Sequence, residues 1–122
     1  MKIATSIVGL LACMCATSGA DKPAIACNTK AISAAERPRY NDLVGKLRRS
    51  IRYRRELPDG YTFRLNEQSI GLTDLTEWIR MERVCCPFLV FQIEVSGSNQ
   101  NVQLTLRGPS GTKAIIESAF QP

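Results

Sequence analysis

The sequence predicts an α+β fold in which two β-hairpins form an antiparallel four-stranded sheet that carries three helices, in the order α-ββ-α-ββ-α. Apolar residues recur at helical spacing in two segments and alternate with polar residues along three others. Short polar turns separate the predicted strands in pairs, which favours antiparallel hairpins. Residues 33–122 are expected to form a single domain, because no linker within them is long enough to divide them.

The first helix is predicted over residues 33–50. Ser33 and Glu36 form a capping-box pattern, and Pro38 lies in the first turn, where proline is tolerated. The apolar stripe that follows has helical spacing. It consists of Tyr40, Leu43, Val44, Leu47 and Ile51. Residues 53–57 and 61–65 flank a Pro-Asp-Gly turn, and the alternation in the second segment predicts the first hairpin.

The second helix is predicted from Thr73 to Cys86, where Pro87 ends it. Residues 89–95 and 102–107 alternate around a polar turn and predict the second hairpin. A Gly-Pro-Ser-Gly break precedes a short closing helix at 112–120. Residues 21–32 lack periodicity and are interpreted as an N-terminal arm that carries Cys27.

Residues 1–20 have the three-part pattern of a secretory signal, with basic Lys2, an uncharged stretch over 3–16 and small residues up to Ala20. We expect cleavage after Ala20, a periplasmic or secreted protein, and no transmembrane span in the mature chain, because the apolar stretch is too short. An alternative is lipidation at Cys13, since Leu10 to Cys13 resembles a lipobox. It is less favoured because the apolar stretch before Cys13 would be very short.

The chain contains five cysteines and no histidine. This composition excludes Ser-His-Asp triads, Cys-His nucleophile pairs and histidine-ligated zinc. Cleavage of the signal would remove Cys13 and Cys15 and leave Cys27, Cys85 and Cys86. An exported chain can form disulfides, but an odd number of cysteines leaves one thiol over in a monomer.

Glu82 lies on the apolar stripe of the second helix, with Cys85 and Cys86 three and four residues further on. Burial raises the pKa of a carboxyl group, so this glutamate is a candidate functional residue beside two thiols. A purely structural interpretation is equally compatible with the pattern. In that interpretation Glu82 pairs with an arginine from the sheet or the first helix.

The vicinal cysteines admit three chemistries. A site of sulfur ligands without imidazole suits a soft metal or metalloid ion, held by Cys85 and Cys86 and also by Cys27. A disulfide from Cys27 to Cys85 or Cys86 would instead attach the arm to the core. Thiol–disulfide exchange is the least favoured, because a helix C-terminus does not lower the pKa of a thiol.

The stretch Glu82-Arg83-Val84-Cys85-Cys86-Pro87-Phe88 resembles the shared motif of a group of small uncharacterised bacterial proteins, Glu-Arg-x-Cys-Cys-Pro-Phe. The resemblance also includes 56–61, 77–79, 106–113 and an upstream cysteine like Cys27, and it spans about residues 27–120. It implies no established activity. It does imply proximity to heavy-metal-responsive regulators, which favours binding of a soft metal.

Between Arg37 and Arg55 the chain has eight basic residues and one acidic residue, Asp42. Such a cluster can bind nucleic acid. Most of these residues lie opposite the apolar stripe, and export would separate the protein from nucleic acid. We therefore interpret the cluster as a solvated helix face and expect no nucleic-acid partner.

The sequence thus predicts a binding protein rather than an enzyme, with a thiophilic ion held by Cys27, Cys85 and Cys86 near Glu82. It identifies neither the ion nor any other cofactor or protein partner. The alternative is a structural or interaction domain with a Cys27 disulfide. A lower-ranked alternative is a thiol redox enzyme, or one that cleaves carbon–metal bonds as organomercurial lyases do, with Glu82 supplying a proton to a metal-bearing Cys85 or Cys86.

Overall fold

The computed structural model describes residues 25–97 and 101–120. Its elements follow the predicted order and confirm the α+β prediction. They are α1 (Arg37–Ser50), β1 (Ile51–Leu57), β2 (Gly60–Leu65), α2 (Leu72–Cys85), β3 (Val90–Ser96), β4 (Asn101–Arg107) and α3 (Thr112–Ala119). The predicted signal at 1–20, including Cys13 and Cys15, lies outside the described residues.

The four strands form one antiparallel sheet in the order β1-β2-β4-β3. The apolar side chains of the two central strands are buried on one face of the sheet, because side chains alternate along each strand. The buried side chains are Tyr61, Phe63 and Leu65 of β2 and Val102, Leu104 and Leu106 of β4. The helices therefore cover one face of the sheet and leave the other face open.

Helix α1 begins at Arg37, one turn after the predicted start at Ser33. One of the two capping-box bonds still forms, since the backbone N–H of Glu36 donates to Ser33 Oγ at 3.2 Å. However, residues 34–36 are a turn rather than helix, and Pro38 occupies the first helical turn, where its missing N–H leaves no helical bond unmade. At its other end α1 passes directly into β1 at Ile51.

Helices α1 and α2 are joined across their surfaces by ion pairs. Arg39 Nη2 lies 2.8 Å from Asp74 and 2.7 Å from Glu77, and Lys46 Nζ lies 3.0 Å from Asp74. Two basic residues of α1 thus pair with α2 instead of being fully solvated as the sequence suggested. These pairs lie at the edge of the interface in which the apolar stripes of the two helices meet.

The core lies between the helices and the covered face of the sheet. Trp78 of α2 is 1% exposed and makes T-shaped contacts with Phe91 of β3 and Phe120, with ring centroids 5.9 and 6.1 Å apart. Such edge-to-face contacts fix ring orientation as well as burying apolar area. Within the described residues, no helix has the length and apolar character that crossing a membrane requires.

Candidate functional site

A disulfide joins Cys27 to Cys86, across a sequence separation of 59 residues. Cys27 belongs to the segment before α1, and Cys86 follows the last residue of α2. The sequence left Cys85 and Cys86 as equal candidates for this bond, and the structure selects Cys86. Cys85 is free and fully buried. The bond fits an oxidising compartment, which is where disulfides persist.

The arm is also held by its backbone. Asn28 N–H donates to the carbonyl of Cys85 at 2.7 Å, and the Asn28 side chain accepts from Lys30 N–H at 3.2 Å to begin a single 3-10 turn over Thr29–Ala31. Ile32, only 3% exposed, then enters the core. The described part of the arm is therefore packed on the end of α2, where it presents Cys27 to Cys86.

Glu82 lies one turn before Cys86 on the buried face of α2 and is 9% exposed. The hydroxyl of Tyr40, from α1, donates to Glu82 Oε2 at 2.7 Å. The other oxygen, Oε1, lies 3.0 Å from Cys86 Sγ. Because Cys86 has no sulfur-bound hydrogen in the disulfide, this second approach is a contact and not a hydrogen bond donated by sulfur.

One interpretation of the sequence paired Glu82 with an arginine, and that interpretation was wrong. In the part of the chain that the structure describes, no basic side chain pairs with this carboxyl group, and a tyrosine hydroxyl takes that role. Tyr40 was assigned from the sequence only to the apolar stripe of α1. The sequence did contain a sign of this contact. Tyr40 has a polar hydroxyl at the end of its ring, and it lies on the apolar stripe of α1, which faces the stripe of α2 that contains Glu82.

Burial determines the protonation of this pair. Burial raises the pKa of Glu82, and the hydrogen bond from Tyr40 opposes that rise without cancelling it. The pKa of Tyr40 is raised by burial and by the neighbouring Glu82 charge. Tyr40 therefore remains a hydrogen-bond donor, and Glu82 retains its proton to a higher pH than an exposed glutamate does.

Cys85 is an unreactive thiol in this setting. Its Sγ lies 3.5 Å from Cys86 Sγ and 4.0 Å from the Tyr40 hydroxyl. Burial, followed by the charge of Glu82, raises the pKa of Cys85 to about 11. The thiolate is the nucleophile in disulfide exchange, so the thiol form held near neutral pH argues against a role as attacking group.

A cavity of about 420 Å³ opens beside this cluster, between the arm, α1, α2 and the end of α3. Tyr40, Trp78 and Glu82 line its inner part, and Arg48 lies at its wall, where Arg48 Nε donates to the carbonyl of Ala119 at 2.8 Å. The cavity gives solvent or a small solute access to the carboxyl side of the cluster, although Cys85 and Cys86 are fully buried.

The cluster brings together atoms of the kinds that can ligate a metal ion. The sulfur atoms of Cys27 and Cys86 and a carboxylate oxygen of Glu82 all lie within 4.8 Å of one another, and Cys85 Sγ adjoins Cys86 Sγ at 3.5 Å. The three cysteines named from the sequence and the glutamate thus meet at one end of α2. As long as Cys27 and Cys86 are cross-linked, neither sulfur is a thiolate, and only the reduced form offers them as ligands.

Comparison with known proteins adds no relative to this geometry: no family model matches the chain, and no curated protein or solved structure is similar to it.

Proposed function

We propose that this chain is an exported protein that binds a soft metal or metalloid ion through cysteine thiolates, once an external dithiol has reduced the Cys27–Cys86 disulfide to two thiols and has itself been oxidised to a disulfide. Cys27 and Cys86 are the principal ligands, Cys85 supplies a third sulfur, and Glu82 adjoins them. The disulfide form is then the closed state of the site, and the dithiol form is the binding state.

The observation that carries the proposal is the convergence of three sulfur atoms and one carboxyl group at the end of α2. Soft ions prefer thiolates, whereas calcium and magnesium prefer sets of oxygen ligands that this site lacks. A bound cation also displaces the protons of its ligands, so it can use a thiol whose pKa is as high as that of Cys85. The resemblance of residues 82–88 to proteins associated with heavy-metal-responsive regulators supports the same class of ion.

Tyr40 has a supporting position in this proposal. Its hydroxyl fixes Glu82 Oε2, which leaves Oε1 directed at Cys86. Groups that orient a ligand in this way influence metal affinity without touching the ion. The cavity beside Glu82 lets an ion approach the carboxyl side of the cluster, although no cysteine lines the cavity.

A second candidate function rests on the disulfide itself. The Cys27–Cys86 bond attaches the arm to α2 and can stabilise a structural or interaction domain that binds no ion. Under this alternative the sulfur atoms never act as ligands, and Cys85 is a small buried apolar residue.

Cadmium titration of the purified protein distinguishes the two candidates. The protein is reduced with a phosphine under anaerobic conditions, and thiolate-to-metal charge-transfer absorption is followed alongside an untreated sample. We expect one Cd²⁺ per chain in the reduced sample and none in the disulfide form. Cys27→Ser, Cys85→Ser and Cys86→Ser should each weaken binding, and Tyr40→Phe should weaken it about tenfold.

The matched control for Tyr40→Phe is Tyr53→Phe, which removes the hydroxyl of an exposed tyrosine that the metal site does not use. It should bind cadmium as the unmodified chain does. Unchanged binding in the variants at 27, 85 and 86, or equal binding by the disulfide form, would exclude the ion site and leave the structural function.

A further inference from the structure

The open face of the sheet contains a second pocket, of about 150 Å³. The helices and the cysteines lie on the opposite face of the sheet, so this pocket is separate from the sulfur site. Three adjacent strands build it. Its lining consists of Tyr53 and Arg55 from β1, Thr62 and Arg64 from β2, and Gln103 from β4. All five side chains carry hydrogen-bond donors, and none is a carboxylate.

Strand register places the acidic residue of β1, Glu56, on the face opposite the pocket. Tyr53 pairs with Arg64 and Arg55 pairs with Thr62, so these side chains share one face. The residues between and after them point to the opposite face. There Arg54 lies over the ring of Tyr61 and Glu56 bonds Lys113. The acidic residue of β1 is therefore directed away from the pocket.

The two guanidinium groups of the pocket have no acidic partner among residues 25–97 and 101–120. By contrast, Arg39, Arg80 and Arg107 each lie within salt-bridge distance of a carboxylate. Glu94 shares the open face, but it pairs with Gln103, which in turn pairs with Arg64. Two strand spacings, about 10 Å, therefore separate Glu94 from Arg64 along the sheet.

We propose that this pocket binds one tetrahedral oxyanion, a phosphate or sulfate group. A guanidinium group presents a planar fork of donors that matches two oxygens of such an anion, and Arg55 and Arg64 offer two forks on neighbouring strands. Thr62, only 8% exposed, forms the base of the pocket, and its hydroxyl lies 2.9 Å from that of Thr105. Tyr53 and Gln103 supply further donors at the rim.

The size of the pocket limits what it holds. Pockets for whole organic ligands are about 300–1,000 Å³, so a pocket of about 150 Å³ accepts a single anionic group. The remainder of an esterified ligand would extend along the open face, where no helix covers the sheet. A free anion and a terminal phosphate ester therefore present the same chemistry to the two arginines.

Nuclear magnetic resonance titration of the purified protein tests the proposal, with inorganic phosphate, inorganic sulfate and glycerol 3-phosphate as separate probes. We expect saturable shifts at the backbone amides of Thr62, Arg64 and Gln103. Arg55→Ala and Arg64→Ala should each weaken binding about tenfold or more, since each removes a charge-assisted hydrogen-bond fork. Arg55→Lys keeps the charge but loses the planar pair of donors. Its affinity for the anion should lie between that of the two alanine variants and that of the unmodified protein.

The matched control is Arg83→Ala. Arg83 is exposed on α2, so this substitution removes one positive charge at a site away from the pocket. It should leave binding of all three probes unchanged. Tighter binding of glycerol 3-phosphate than of phosphate would identify an esterified ligand. Shifts that do not saturate, or an Arg83→Ala effect as large as that of Arg64→Ala, would show diffuse attraction and overturn the proposal. Neither result bears on cadmium binding.

Discussion

The hydroxyl of Tyr40 donates a 2.7 Å hydrogen bond to Oε2 of Glu82, and this bond joins α1 to the one carboxyl group on the buried stripe of α2. It satisfies an acceptor that burial has removed from water. It also fixes the rotation of the carboxyl group, so that Oε1 lies against Cys86. The same contact thus takes part both in the packing of the two helices and in the geometry of the sulfur cluster.

Tyr40→Phe should lower the free energy of unfolding by about 1–3 kcal/mol, because it leaves a buried acceptor without its donor while preserving the ring. Urea unfolding at neutral pH measures this change. Tyr53→Phe is the matched control, since Tyr53 is 59% exposed and its hydroxyl faces solvent. If the two substitutions lowered the free energy of unfolding equally, the Tyr40–Glu82 hydrogen bond would make no measurable contribution to stability.

The stability of the protein should fall with rising pH through the titration of Glu82. Its folded-state pKa is raised above the ordinary value of 4.5, so the folded state binds more protons than the unfolded state does. The stabilising contribution is complete below pH 4.5, and it is lost as the pH rises through the raised pKa.

Glu82→Gln isolates this contribution, because glutamine has nearly the same shape and no charge. We expect the variant to become more stable relative to the unmodified protein as the pH is raised from 4.5, when both are unfolded in urea at matched pH values. The contributions of the other carboxyl groups to the pH dependence are the same in both proteins, so they cancel in the difference between the two free energies of unfolding. A difference that is constant with pH would contradict a raised pKa for Glu82.

Reduction of the Cys27–Cys86 disulfide should lower the free energy of unfolding by about 4 kcal/mol, the value expected from chain entropy for a closed loop spanning a separation of 59 residues. Urea unfolding with and without a phosphine reductant measures it. Cys86→Ala should abolish the effect of the reductant, whereas Cys85→Ala should retain it. A reductant effect that persists in Cys86→Ala would place the stabilising bond elsewhere.

Cys85 should resist alkylation in the folded protein. Its thiol is fully buried and its pKa is about 11, so almost no thiolate is present for iodoacetamide to react with at pH 8. Peptide mass spectrometry should find Cys85 labelled only in denaturant, together with a peptide in which Cys27 and Cys86 remain linked. Rapid labelling of Cys85 under native conditions would instead indicate an exposed or activated thiol.

Hydrophobic periodicity and turn residues together predicted the order of elements, because the first reports which face of a segment is buried and the second reports where a segment ends. It could not determine the strand order, since the β2–β4 pairing joins residues such as Phe63 and Leu104 that lie far apart in the chain. The start of α1 was misplaced for a local reason. The Ser33–Glu36 bonds formed as a turn, and the helix began only at Arg37.

The sequence predicted which residues make up the candidate site but not the contacts between them. Helical spacing alone placed Glu82 beside Cys85 and Cys86, because residues three and four positions apart are neighbours on a helix. Spacing cannot distinguish which cysteine faces Cys27, and the structure selects Cys86. Nor can it show what meets Glu82 from another helix, where Tyr40 takes the place expected for an arginine.

Two attachments of different chemistry hold the arm to α2, the Cys27–Cys86 bond and the backbone hydrogen bond from Asn28 to the carbonyl of Cys85. Only the first is sensitive to reductants. When it opens, the second keeps the Cys27 thiol beside that of Cys86, so the two thiols meet as an intramolecular pair at high effective concentration. Once an external disulfide has converted one thiol to a mixed disulfide, the other thiolate displaces the oxidant's thiol in an intramolecular step whose rate does not depend on how dilute the protein is. An incoming ion likewise meets a preorganised chelate instead of two independent thiols.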